Sequence, residues 1–385
     1  MHSTLLIDLG QPANLPEFVD ICVYHQSSDE EIIPHLTIPK SDVREIRNQL
    51  LKALTTYQIT HKNGVEIPEP ARFRSLVTTC SLAFEHLLEL IDENAEQGNA
   101  MYGKGLRDYL VRFTATPGNH LSVTTRGLIL PFELLYLDDP ALTSVDPLGG
   151  FLGLRLSIDY NYLDLTANKL PQTLDDNHIY TKRSSFVGFI GAELDHAEDE
   201  GSYLETLFKG SMEDSQSVSS LESDDEVLKH WAGNNRMHIA HFMCHHYFSD
   251  DISELKLGPA YKFNTYHMRA LRRSNPLRPL VFVNACKSLP IDLKYGYEIP
   301  KLLDHFYPFC SRGLILSFVD VKDVEAAEVA KRFYHYLLEG SNVSDALFKA
   351  RIDSKENHPR MQAIISLAFT LVCTSPRIRL VTDDF

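Results

Sequence analysis

Two stretches of this chain carry side chains whose types and spacing could do chemistry. The first, MHIAHFMCHH, runs from Met237 to His246 and sets four histidines and one cysteine among apolar residues. The second, VFVNACKS, contains Cys286 and follows about forty residues later. A free thiol titrates near about 8.5 and is mostly protonated at neutral pH. An adjacent imidazole can take that proton, leave a thiolate nucleophile, and later protonate a leaving amine. His245 or His246, paired with Cys286, would form such a Cys–His dyad.

The same residue types are the usual ligands of zinc. Alternation along a strand, however, puts His238, Cys244 and His246 on one face and His241 and His245 on the other. No ligand pair has the short loop spacing of a structural zinc site, so no metal is expected. Nucleotide binding is also disfavoured, because FIGAELDHAEDE carries carboxylates where a phosphate-cradling loop needs glycines. No cofactor is expected.

The elements that must position these residues follow from the apolar pattern. After about residue 182, strand-like and helix-like segments alternate: SSFVGFIGA, EGSYLETLFKG, SVSSL, DDEVLKHWAGN, MHIAHFMC, NTYHMRALRR, PLVFVNA, YEIPKLLDHFYP, RGLILSF, DVEAAEVAKRFYHYLLEG and NVSDALFKARI. The strand segments are short, nearly continuous apolar runs, as a parallel sheet buried on both faces requires. The expectation is a doubly wound, mostly parallel α/β sheet with helices on both faces. In such sheets ligands bind beyond the carboxyl ends of the strands, where HFMCHH and VFVNACKS both end. Asp323 is expected to N-cap the long helix through its carboxylate, and Gly340 to stop it.

Upstream, SDVREIRNQLLKALTTY and ARFRSLVTTCSLAFEHLLELIDEN repeat apolar residues at helical spacing between about 41 and 94. HLSVTT, GLILPFELLYLDD and GFLGLRLSIDY read as strands between about 120 and 160. The polar, proline-bearing stretch LTANKLPQTLDDNH suggests a boundary, giving a smaller α+β N-terminal region over 1–175 and a second domain over 176–385.

At 385 residues the chain has room for roughly two domains at ~150 residues each. A net charge of −15, with one short basic run, RALRRSNPLR, argues against nucleic acid or an anionic membrane as primary partner. Much of the negative charge lies between Glu193 and Glu226, where Lys209 is the only Lys or Arg, and reads as solvated loop. Six cysteines without CxxC spacing read as reduced thiols in a cytoplasmic protein. The start of the chain lacks a signal-peptide pattern, and no apolar run approaches the ~20 residues that span a bilayer.

HFMCHHYF, LVFVNACKS and RGLILSFVDVKDVEAAEVAKRFYHYLLEGSNVSDALFKAR together closely resemble the CHAT family of caspase-like cysteine proteases, which are related to separase. GLILPFELLYLDDP and GFLGLRLSIDY resemble the strands before the protease core of that family, where the chain reads much like "lPWELLyd". The resemblance covers about residues 120–378. The resemblance does not extend to residues 1–115, which show no tetratricopeptide period.

The resemblance implies a caspase-like fold and a cysteine endopeptidase. It selects His245 as the general base, since the family histidine precedes a glycine in an "HG" pair, and Cys286 as the nucleophile. It implies an oxyanion hole from the backbone N–H groups of Cys286 and His246. Here a histidine stands where the family has glycine; a Cβ resists positive φ, and the ring would intrude on the substrate groove. That departure keeps an alternative open, a catalytically silent scaffold for binding or signalling. In Arg/Lys-specific relatives an aspartate two positions before the nucleophile helps form the S1 pocket; Asn284 holds that position, which favours a neutral or apolar P1. Asp320 or the acidic loop offers the route to a basic P1, and Asp323 is a further pocket candidate. The expected partners are a protein substrate encoded by a neighbouring gene and an activating or regulatory protein, with a role in bacterial defence or regulated cell death.

Overall fold

The computed structural model describes every residue except 1–2, 11–16, 27–29, 63–64, 96–101, 126–127, 140–145, 163–176, 192, 233–236, 250–251, 265–266, 268–277, 286–311, 358, 374, 376 and 382–385. The chain forms two compact units, residues 1–163 with 355–368, and residues 164–354 with 369–385.

In the first unit, strands β1 (Thr4–Gly10), β2 (Phe18–His25) and β3 (Glu30–Pro39) precede helix α1 (Lys40–Gln58). A short hairpin, β4 (His61–Lys62) and β5 (Val65–Glu66), leads to α2 (Glu69–Asn94) and α3 (Tyr102–Thr114), then β6 (His120–Thr125) and β7 (Ser157–Tyr162). The sheet order is β7-β6-β1-β2-β3, with β7, β6 and β1 parallel and the remaining pairs antiparallel. Strands β1 and β6 bury alternate residues, so one face of this sheet carries the apolar set. The expectation lacked β1 to β3 and α3, although TLLIDLG shows the two-residue alternation of a strand.

The run GLILPFELLYLDD is not the strand its apolar content suggests. Phe132–Leu134 form a single 3-10 turn, as do Pro147–Gly150 and Leu152–Leu154. Pro131 has no N–H to give to a ladder, and the buried Tyr160 hydroxyl replaces ladder partners, donating to Leu130 O at 2.8 Å and accepting from Phe132 N at 2.9 Å. Gly153 permits the close packing that follows, since a Cβ there would stand 2.8 Å from Leu367 and 2.9 Å from Glu133.

The second unit contains β8 (His178–Tyr180), β9 (Ser185–Ile190), α4 (Ala197–Lys209), β10 (Asp214–Ser219), α5 (Asp224–Ala232) and β11 (Met237–Met243). A three-stranded antiparallel sheet follows, from β12 (His245–Ser249), β13 (Ile252–Lys256) and β14 (Lys262–Asn264). Then come β15 (Leu280–Asn284), β16 (Gly313–Ser317), α6 (Asp323–Leu338) and α7 (Val343–Asn357). Helix α8 (Arg360–Ser366) belongs to the first unit, and β17 (Phe369–Cys373) and β18 (Arg379–Val381) return to the second. The return of 355–368 to the first unit has no counterpart in the expected linear division.

The main sheet of the second unit runs β10-β9-β11-β15-β16-β17, parallel except for β17. β9, β15, β16 and β17 are buried along their whole length. Helices cover both faces: His241 meets Glu200 of α4 and Tyr334 of α6, whereas the next residue, Phe242, faces Trp231 of α5. Phe208 of α4 stacks on Phe186 of β9 at 4.6 Å and meets Tyr334 edge-on at 5.3 Å, which locks α4 and α6 onto that face.

Helix α6 ends as expected. Gly340 has φ +90°, and the bonds Gly340 N→Leu337 O and Ser341 N→Tyr336 O close a Schellman motif. Its start differs: the N-cap is Lys322, with no side-chain cap, and Asp323 is the first helical residue. The segments NTYHMRALRR and YEIPKLLDHFYP, read as helices, lie largely outside the described residues. Among the described residues no helix is long and apolar enough to cross a membrane.

Candidate active site

Register brings the chemical residues of the two motif strands to one edge. Ile190 of β9, Met243 of β11 and Asn284 of β15 stand opposite one another at the carboxyl ends of three adjacent parallel strands. Gly191 N donates to Met243 O at 2.7 Å and Cys244 N to Asn284 O at 3.3 Å, which extends the row by one residue. His245 and Cys286 each lie two residues beyond the aligned pair Met243 and Asn284 in sequence. Cys286 itself lies outside the described residues.

Gly191 matters here for space. A Cβ on it would sit 2.5 Å from Lys256 O and 2.6 Å from Cys244 Cβ. Only glycine lets the end of β9 lie against the turn from which His245 emerges.

His245 opens β12 and is half-buried. Its Nε2 lies 3.3 Å from the backbone oxygen of Glu193. A carbonyl only accepts, so Nε2 carries the hydrogen and Nδ1 of the neutral ring keeps the lone pair. Glu193 holds a left-handed backbone, φ 69°, unusual for a residue with a side chain. Its carboxylate pairs with Lys256, which stands opposite His245 across β12 and β13. The hydrogen bond and charge of Lys256 hold the Glu193 carboxyl below its ordinary range.

A pocket of about 360 Å3, counted out to its open mouth, lies at this edge; its lining includes Glu200, Cys244, His245, Asn284, Ala285 and Asp323. Burial raises the Asp323 carboxyl above its ordinary pKa, and the nearby His245 and His196 partly offset that rise. Asp320 is exposed and lies outside the described lining. Asn284 is 8% exposed and turns its amide nitrogen to both oxygens of Glu200, each at 2.9 Å.

The remaining residues of the histidine cluster diverge. His241 is fully buried between Tyr334 and Glu200, and Cys244 packs against Gly191. The His246 ring bonds the Ser253 hydroxyl on the neighbouring strand. No group of three His, Cys, Asp or Glu side chains able to hold a metal occurs among the described residues. His246 also lies in extended strand: the described non-glycine residues with positive φ are Glu193, Ser220 and Arg278. The strain expected from histidine in place of glycine is therefore absent there.

Glu200 is the site residue that sequence reasoning missed. It sits in ELDHAEDE, read as solvated loop, yet it is 3% exposed in the first turns of α4. The signal was present: Ala197, Glu200, Gly201, Leu204 and Phe208 recur at helical spacing and are the buried face of α4.

The family model of the CHAT domain matches residues 124–367, well over half of the chain. The chain belongs to the CHAT family. By sequence, no curated protein matches it. Among solved structures, the CHAT chain is similar to separase in the Saccharomyces cerevisiae separase–securin complex, with TM-score 0.53 and 12% identity over 98% of this chain and 30% of that one. A second structure of the same complex gives 0.50 and 11%, over 97% and 30%. Gingipain R of Porphyromonas gingivalis, an Arg-specific cysteine proteinase, matches at 0.46 and 10%, over 89% and 77%. The CHAT chain thus spans about a third of the separase chain it matches, and the likeness is one of fold: mixed α/β, with the mainly parallel sheet of the caspase-like proteases.

Proposed function

We propose that this CHAT protein is a cytosolic cysteine endopeptidase that cleaves a partner protein with His245 as general base and Cys286 as nucleophile. One observation carries the reading. His245, oriented by the Glu193 carbonyl, leaves the sheet beside Asn284 and Ala285, the residues that lead directly into Cys286. The free Nδ1 takes the thiol proton, and the thiolate adds to the scissile carbonyl carbon. Backbone N–H groups of His246 and Cys286 would receive the oxyanion. Collapse expels the amine, which takes the proton from the imidazolium, and water then hydrolyses the thioester. Asn284, on the pocket wall, is the first candidate for contact with the P1 side chain, and Asp320 the second.

The substrate on this reading is the product of a neighbouring gene, and cleavage serves bacterial defence or regulated cell death under a regulatory protein. The test is coexpression of wild type, Cys286→Ala and His245→Ala with those gene products. A cleavage product seen with wild type and lost in both variants supports the reading. Identical patterns for all three, under each activating condition, sink it in favour of a silent scaffold.

A further inference from the structure

We propose that Glu200 is a positioning residue that aligns the two halves of the dyad; this deepens the assignment of His245 and Cys286 and rests on it. Its carboxylate is 3% exposed and receives His241 Nε2 at 2.9 Å and the Asn284 amide at 2.9 Å on both oxygens. Behind it, the Tyr334 hydroxyl lies 3.1 Å from His241 Nδ1. A carboxylate only accepts, so in a neutral His241 ring Nε2 donates to Glu200 and Nδ1 accepts from Tyr334. The chain of donors runs from α6 through β11 to α4, and a second donor arrives from β15.

The placement gives this network its role. Asn284 is two residues before Cys286, so Glu200 holds the side chain of the strand that leads to the thiol. Seven residues before Glu200, the Glu193 carbonyl holds His245. One segment, 193–200, therefore grips the imidazole at one end and the nucleophile strand at the other. The start of α4 is itself fixed to β10, where Ser217 Oγ donates to Gly201 O at 3.0 Å. Apolar side chains would pack at 200, 241 and 284 without burying an anion. A buried carboxylate with donors from two strands instead sets one height and one orientation for the strand end.

The test reads the rate at which an alkylating agent modifies Cys286, followed on its peptide by mass spectrometry, as a ratio to wild type from pH 5 to 8. Asn284→Asp sets two carboxylates where one amide met one carboxylate. Such a pair shares one proton at low pH and repels when both ionise. Among the described residues, the charged or titratable groups facing Glu200 are His241, Tyr334 and Asp323, with His245, His196 and Asp195 beyond Asp323. All are common to wild type and variants, so the ratio isolates the new pair. For Asn284→Asp the ratio is expected near one at pH 5 and about tenfold lower by pH 8.

Glu200→Gln keeps its oxygen for His241 but opposes its amide to that of Asn284, and should lower the rate about threefold at every pH. The double variant Glu200→Gln with Asn284→Asp reverses the pair's polarity and should return within about twofold of wild type. A flat ratio near one for Asn284→Asp overturns the proposal. So does a double variant no better than Glu200→Gln alone, which would mean packing only. If Asn284→Asp fails to fold at neutral pH by circular dichroism, that comparison of double with single decides. His245→Ala is run alongside: if it leaves the pH profile of Cys286 alkylation unchanged, the dyad itself fails, whatever the Glu200 variants show.

Discussion

Gly191→Ala tests most directly whether the site is built as described, because the added atom has nowhere to go. Its Cβ would stand 2.5 Å from Lys256 O, 2.6 Å from Cys244 Cβ and 2.8 Å from Cys244 Cα. Ordinary contact begins near 3.4 Å, so the facing chain must retreat by roughly 3.4 − 2.5 = 0.9 Å. Backbone bonds resist that retreat, with Gly191 N on Met243 O at 2.7 Å and Cys244 N on Asn284 O at 3.3 Å. Overpacking of this kind costs about 1–3 kcal/mol, and with backbone on the receiving side the upper half of that range applies. For a unit of this size each kcal/mol is worth about 2–4 °C of midpoint, so the thermal transition should fall by roughly 5–10 °C. The displaced Cys244 also carries His245 away from Glu193 O, so Cys286 alkylation should slow even at temperatures where the variant is folded. Calorimetry and peptide-resolved alkylation measure the two effects. A midpoint within about 1 °C of wild type, with unchanged alkylation, would refute the packing described at the end of β9.

Other expectations follow from the same edge. His245→Ala should move the pH midpoint of Cys286 alkylation up to that of an ordinary thiol, about 8.5; a midpoint that stays where wild type has it removes His245 from the mechanism. Tyr334→Phe strips the partner from a fully buried His241 Nδ1 and should cost about 1–3 kcal/mol in urea unfolding. An unchanged transition would show that this nitrogen needs no donor. Asp323 has a folded pKa raised above its ordinary 3.8 by burial. The stability it contributes is therefore full below about that value and is lost as pH rises through the folded pKa. Asp323→Asn should accordingly match wild type in acid and become the more stable protein toward neutrality, as thermal midpoints across pH would record; a gap independent of pH contradicts the burial of that carboxylate.

Much of the second unit was legible because its strands are short, apolar and fully buried, and a parallel sheet covered on both faces demands that pattern. SFVGFI, LVFVN and RGLILS could be little else between helices. The same logic misread GLILPFELLYLDD: apolar content reports burial, while the conformation was decided by Pro131 and by the Tyr160 hydroxyl, which is distant in sequence. The alternation in TLLIDLG was available and unread. The linear division could not foresee the return of 355–368 to the first unit, because chain order carries no record of which core a helix joins.

For the site, residue types and strand ends alone pointed to His245 or His246 with Cys286, and to a sheet edge as their meeting place. Tertiary structure decided what each neighbour does. Register set Met243 level with Asn284, a left-handed turn at Glu193 aimed a carbonyl at His245, and the Ser253 hydroxyl took up the ring of His246. Glu200 shows the division most clearly. Its helical spacing marks it as buried, but nothing local names its partners, because His241 and Asn284 reach it only when two strands and a helix pack together, forty-one and eighty-four residues along the chain. Local sequence determines which side chains point inward; what they meet there is a property of the packed whole.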